Sequence, residues 1–204
     1  MQSDWSVACG ADDSLVVVPW ASEDESIRYI DLQDAPARVS EIPEATQYAS
    51  LAAALQRWNQ RDAPLFTAKC DVWNYTADHF DAEDLAGFAF AQASYIDLLP
   101  RDPMIFSSFT GCEQMLRTWT ERSHSIALPE GRCEWILRPA RVLSVPGDTS
   151  HSVSNGADHS GYDGFATTLY VWGYGSSPQT AADVWSTALL ALIEPVLLIE
   201  KFKR

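Results

Sequence analysis

Positive charge is scarce in this chain. Fourteen Lys and Arg stand against 28 Asp and Glu, a formal net charge of −14 over 204 residues. Such a surface repels phosphate backbones and anionic bilayers, so neither nucleic acid nor a membrane is expected as a partner. It favours cations or a basic protein, and it keeps the chain soluble. Paired cysteines are missing as well. Cys9, Cys70, Cys112 and Cys133 are widely spread with no C-x-x-C spacing. The opening MQSDWSVACG lacks a basic start followed by an apolar run, so no signal peptide is read there. These features point to reduced, mostly buried thiols in a cytoplasmic protein. A membrane-length apolar run is also lacking. The longest, TALLALIEPVLLIE, is interrupted by Glu194 and Pro195 and is too short to span a bilayer.

Chemical motifs are equally thin. There is no nucleotide loop and no Gly-x-Ser-x-Gly around Ser107, Ser108 or Ser177. Of the four histidines, His151 and His159 share a polar stretch with Asp148, Asp158 and Asp163, but their spacing fits no compact ligand set. His79 stands among Asp78, Asp81, Glu83 and Asp84 without the residue order of a calcium loop. No metal and no cofactor is implied. Gly173 and Gly175 read as a tight turn from strand into helix, in preference to an anion site at the helix N-terminus.

What the chain does contain is a core and a repeat. Hydrophobic residues make up 47%, with eight Trp, eight Phe and seven Tyr, enough for one domain spanning 1–204. The tetrapeptide YIDL occurs at 29–32 and again at 95–98. Each copy precedes an amphipathic stripe with spacings of 3, 4 and 3: Tyr48, Leu51, Leu55 and Trp58, then Phe109, Cys112, Leu116 and Trp119. Each stripe is followed by a β-forming run with a cysteine before an acid, Cys70-Asp71 and Cys133-Glu134. The order strand, helix, strand therefore reads twice, over about 26–75 and 92–142, as a duplicated unit.

Two such units predict an α+β, ferredoxin-like antiparallel sheet with both helices on one face. Extra strands at 15–20 and 165–175 and a C-terminal helix capped by Ser177-Pro178 and kinked at Pro195 complete the expectation. Two packed α+β lobes are the alternative. Residues 76–87 and 145–164 read as loops, the latter flexible.

Side chains two apart along a strand share a face. With Ile30, Leu32, Ile96 and Leu98 turned to the helices, Tyr29, Asp31, Tyr95 and Asp97 take the opposite face and meet across a local dyad. Lys69, Asp71 and Trp73 join them from one closing strand, and Glu134, Ile136 and Arg138 from the other. Tyr170, Trp172 and Tyr174 follow if the late strand keeps parity. Cys70 and Cys133 fall on the core side as small hydrophobes.

A face rich in carboxylates and aromatics has three uses. It is solvated or covered by a partner, including a second copy of the chain. It binds a small molecule, aromatics supplying area and carboxylates orientation. Or paired carboxylates act as acid and base, with or without a divalent cation. The leading expectation is a non-enzymatic binding or interaction module that uses Tyr29, Asp31, Asp71, Trp73, Tyr95, Asp97, Glu134, Arg138, Tyr170 and Trp172. The alternatives are a small carboxylate enzyme and an acidic, immunity-type inhibitor.

Overall fold

The computed structural model describes residues 1–22, 24, 26–76, 87–143 and 161–198. In chain order these form β1 (Gln2–Val7), β2 (Val16–Val18), a 3-10 turn (Pro36–Glu41), α1 (Pro43–Gln47), α2 (Ala49–Trp58), β3 (Leu65–Thr76) and β4 (Phe90–Pro100). Then follow α3 (Pro103–Phe106), α4 (Phe109–His124), β5 (Gly131–Leu143), β6 (Gly161–Gly175) and α5 (Pro178–Leu197). Most of the 76–87 and 145–164 segments lie outside the described residues, with His79, His151 and His159. The end of the second segment, 161–164, belongs to β6.

One mixed sheet organises the chain, in the order β1-β5-β6-β4-β3, with β2 continuing beside β5 beyond the end of β1. β1 and β2 run parallel to β5, and β3/β4, β4/β6 and β5/β6 are antiparallel. Since β4 and β5 both oppose β6, they are parallel to each other. β4–α4–β5 is thus a strand-helix-strand unit with β6 inserted between its strands.

The first unit does not form. Tyr29–Leu32 lies outside any strand, in the connection between β2 and the 3-10 turn. The strand order departs from a ferredoxin-like arrangement, because β6, not a second YIDL strand, sits beside β4. The physical reason is visible in Leu32 and Ile30. Leu32 is 1% exposed and Ile30 packs against the same core, so the segment buries its apolar pair without ladder pairing. Identical tetrapeptides take different backbones because tertiary burial outweighs β propensity.

Both helical stripes are present. Leu51, Leu55 and Trp58 of α2, and Cys112, Leu116 and Trp119 of α4, are buried in one core with Trp185, Leu189 and Leu192 of α5. The sheet answers with Ile96, Leu98, Cys133, Trp135, Leu137, Leu169 and Val171, so α2, α4 and α5 all cover one face. Tyr48 meets Trp185 edge-on at 5.3 Å and Trp119 meets Trp135 at 5.2 Å, contacts worth about 0.5–1.5 kcal/mol each beyond their burial. Ser177 caps α5 by accepting from the Thr180 N–H at 3.1 Å.

Residues 187–197 of the apolar run, read as too short for a bilayer, belong to α5, a helix of 20 residues. By length and composition α5 is long and apolar enough to cross one. In this fold its Trp185, Ala188, Leu189, Leu192 and Val196 are core residues, 0–1% exposed.

Candidate functional site

Alternation along the strands decides what faces away from the helices. Cys133, Trp135 and Leu137 point to the helices, so Arg132, Glu134, Ile136 and Arg138 of β5 occupy the other face. By the same parity β6 presents Thr168, Tyr170, Trp172 and Tyr174, and β4 presents Tyr95 and Asp97. On β3 a bulge between Thr67 and Cys70 resets the register. Cys70 and Val72 pack toward the helix core, leaving Asp71 and Trp73 opposite.

The ladder aligns these residues in rows. Asp71 pairs with Tyr95, Tyr95 with Tyr170 and Tyr170 with Glu134. One strand step away, Asp97 pairs with Thr168 and Thr168 with Ile136. The rings of Tyr95 and Tyr170 lie 6.0 Å apart, Trp73 sits 6.1 Å from Tyr95 and 6.4 Å from Tyr170, and Tyr170 stacks on Trp172 at 5.6 Å. The outcome is an aromatic platform of four rings flanked by Asp71 on β3 and Glu134 on β5. Arg132 extends it, its guanidinium 5.3 Å over Trp172.

The lower part of this face is covered. Val18, Phe66, Ala68, Leu99, Phe106, Ala140 and Ala166 form a second apolar cluster beneath β2 and α3. Where that cover ends and the platform begins there is a cavity of about 320 Å³. Its floor is Ala68, Lys69, Tyr95, Asp97, Arg138, Thr168 and Tyr170, and residues 14–17 with Trp20 and Ala21 wall one side. Trp20 is pinned by its indole N–H, which donates to the Ala68 carbonyl at 2.9 Å.

Asp97 is 7% exposed. Its carboxylate accepts a 2.6 Å hydrogen bond from the Thr168 hydroxyl. Burial raises its pKa above the ordinary carboxyl value, opposed by the Thr168 bond and by the positive charges of Arg138 and Lys69. Burial, followed by the charges of Asp97 and Asp71, likewise raises the neighbouring Tyr95 phenol. Lys69 Nζ lies 5.1 Å over the Trp20 ring. Arg138 carries a buried Nε with no hydrogen-bond partner. Among the described residues no ion pair joins Asp97 to either cation.

A stability test follows from Asp97. The native pKa lies above that of the unfolded chain, so the folded state holds a proton at pH values where the unfolded state has released it. Stability therefore falls as pH rises through the raised value, and the loss persists at higher pH. Asn keeps the acceptor for Thr168 and removes the charge. Asp97→Asn should melt above the native chain at pH 7.5, with the gap closing as pH is lowered toward 4. Equal melting curves at pH 7.5, or a gap that widens on acidification, would contradict the assigned direction.

Eight of the ten residues singled out in the sequence lie on this face. Tyr29 and Asp31 do not join them, and the expected meeting of Asp31 with Asp97 across a dyad is corrected. Tyr29 packs against the covered cluster, and Asp31 accepts from the Gln33 N–H at 2.8 Å. Arg101 closes that knot, donating to the Gln33 side chain at 3.0 Å and to the Leu65 carbonyl at 3.0 Å. These contacts fasten the connection to the sheet. Burial, then Asp31, pushes the Tyr29 phenol up.

Trp20, Thr168 and the wall at 14–17 escaped the sequence reading. Thr168 shares the parity of Tyr170 and was legible on that ground, whereas Trp20 arrives by a contact 48 residues away. The four cysteines are free thiols. Burial, then Glu44, Asp71 and Asp97, pushes the Cys70 thiol up to about 12, and burial raises Cys133 as well. Cys9, expected among mostly buried thiols, is exposed. Among the described residues no group of three or more His, Cys, Asp or Glu is placed to hold a metal ion. No family model, curated protein or solved structure matches the chain.

Proposed function

We propose that the chain is a binding module that takes a small molecule in the Asp97 cavity, at the foot of the aromatic platform. The single observation that carries this reading is the set of charges sharing that cavity without pairing. Even on its exposed surface the chain pairs charges closely, as in Arg141–Asp163 at 2.6 Å and Arg38–Glu41 at 2.8 Å. Asp97 is buried and Arg138 half-buried, with Lys69 exposed beside them, and buried charges left apart are costly unless something else answers them. A ligand entering between Asp97, Lys69 and Arg138 supplies that answer. The volume suits it, since small-molecule sites run roughly 300–1,000 Å³. Tyr95, Tyr170 and Trp20 provide flat apolar area beside the charges.

An acid/base enzyme with paired carboxylates draws less support. Asp97 is the only carboxylate among the described residues that line the cavity, and such a pair needs a second within reach. An acidic inhibitor would cluster its carboxylates on one outer patch, whereas Asp71 and Glu134 stand on either side of the Tyr95–Tyr170 pair. Four free cysteines fit a reducing, cytoplasmic setting.

The test is a thermal-shift screen of small metabolites against the native chain and against Val16→Trp, which fills the cavity from its wall, since Val16 lines it and shares the face of Ala140. A ligand selective for the native state raises the melting temperature. Compounds that stabilise the native chain and leave Val16→Trp unmoved are the expected result. No stabilising compound, or equal shifts in both proteins, would sink the reading.

A further inference from the structure

We infer that the ligand is a monoanion, a carboxylate received by Arg138 and Lys69 and carried on a flat apolar body that lies against Tyr95, Tyr170 and Trp20. The inference rests on the cavity reading above and specifies its chemistry.

Charge balance is the first argument. With Asp97 ionised, the described lining carries one negative and two positive groups. A monoanion brings that total to zero. A zwitterion leaves one positive charge unanswered, and a cation adds a third to the two already there. A dianionic phosphate overshoots by one. The net charge of −14 does not reverse this preference, because surface charges are screened over about 8 Å at physiological salt while Arg138 and Lys69 act at contact.

Donor geometry is the second. Asp97 already accepts from Thr168 at 2.6 Å, whereas Arg138 lines the cavity with no ion-pair partner among the described residues. A guanidinium presents parallel N–H groups in a fork that matches a carboxylate edge. Arg132 on the same strand also has a buried Nε without a partner, but its guanidinium covers Trp172 and lies 4.0 Å from Glu134. Arg138 has no such neighbour among the described contacts and lines the cavity instead.

The walls supply the third. The Trp20 indole is held by its bond to Ala68, and the Tyr95 and Tyr170 rings are 6.0 Å apart with their planes 44° from parallel. A planar body beside them gains stacking area at little cost in ordering, since the rings are already packed against one another.

Four probes on one ring separate the charge classes: benzoate, phenyl phosphate, benzamide and benzylamine. They are titrated calorimetrically into the native full chain at pH 7.5. Benzoate should bind most tightly and weaken as salt is raised. Arg138→Gln should lower its affinity at least tenfold, Lys69→Gln should lower it severalfold, and Arg138→Lys should fall between native and Arg138→Gln. Neither cation is in an ion pair among the described residues, so these changes are not expected to unfold the chain, and the melting curve of each variant checks this. Tighter binding of benzylamine, benzamide or phenyl phosphate, or benzoate binding indifferent to Arg138→Gln and Arg138→Lys, overturns the inference. If one of those other probes binds and is lost in Val16→Trp, the cavity reading stands and only the carboxylate is wrong. If no probe binds, the carboxylate falls, and the metabolite screen decides the cavity separately.

Discussion

Gly173→Ala is expected to leave little folded protein. Gly173 lies in β6, where it pairs with Gly131 of β5 and Gln92 of β4, and it faces α5. A Cβ built there would stand 2.1 Å from the Trp185 nitrogen, 2.5 Å from the Ala181 carbonyl oxygen and 2.6 Å from the Trp185 Cα. All three are backbone atoms, so no side chain can rotate away. The helix would have to retreat as a body and take Trp185, Ala188 and Leu189 with it. Forcing extra atoms into a close-packed site costs about 1–3 kcal/mol when side chains absorb them, and more when they cannot. We expect a loss of at least about 3 kcal/mol in urea unfolding, a large part of the stability of most domains. A Gly173→Ala chain within about 0.5 kcal/mol of the native, the usual range for a harmless surface change, would contradict this packing of α5 on β6.

Asn59→Ala should be the next most damaging change. Asn59 is fully buried at the end of α2. Its amide donates to the Leu55 carbonyl and to the Thr67 hydroxyl, each at 2.7 Å, and its carbonyl accepts from the Thr67 N–H at 3.1 Å. One side chain therefore joins the helix terminus to the start of the β3 bulge. Alanine would leave the Thr67 N–H buried without an acceptor, and an unsatisfied buried group costs about 1–3 kcal/mol. With the two lost donor bonds the total should reach about 2–4 kcal/mol. The bulge also sets Lys69 beside the cavity, so probe binding should weaken together with stability. A change below about 0.5 kcal/mol would show that water or a neighbour replaces the amide.

Much of the molecule was legible because period reports face. The last three residues of each 3-4-3 stripe are buried where their spacing placed them, while Tyr48 is half-buried and Phe109 is exposed, and alternation in β4, β5 and β6 assigns each side chain to its side of the sheet. Local pattern carries no information about which strand lies next to which. YIDL shows the limit. At 95–98 it is a central strand under α5, with Ile96 fully buried. At 29–32 the same letters cover the end of the sheet, next to Gln33, which Arg101 holds from 68 residues away. A four-residue match cannot specify strand pairing when the surrounding contacts are long-range. β1 escaped notice for a different reason: QSDWSV is mostly polar, and its one fully buried residue is small, Ser3, 1% exposed and bonded to the Cys133 thiol at 3.2 Å. The glycines of β6 were read as turn residues. Their function is close approach, which a sequence marks only as the absence of a side chain.

The same distinction explains the candidate site. Parity brought Asp71, Trp73, Tyr95, Asp97, Glu134, Arg138, Tyr170 and Trp172 to one face, and register then arranged them in rows. The cavity itself depends on the segment at 14–21 folding over that face. Nothing in LVVVPW announces that Trp20 will reach β3, so the wall had to be found in the structure.

The most direct test is an NMR titration of the isotopically labelled native chain with benzoate, following backbone amides and tyrosine ring signals. The account predicts saturable shifts concentrated at Lys69, Tyr95, Asp97, Arg138, Thr168 and Tyr170, with α2 and α4 unmoved. Shifts confined to the helical side of the sheet, or none at saturating benzoate, would contradict it.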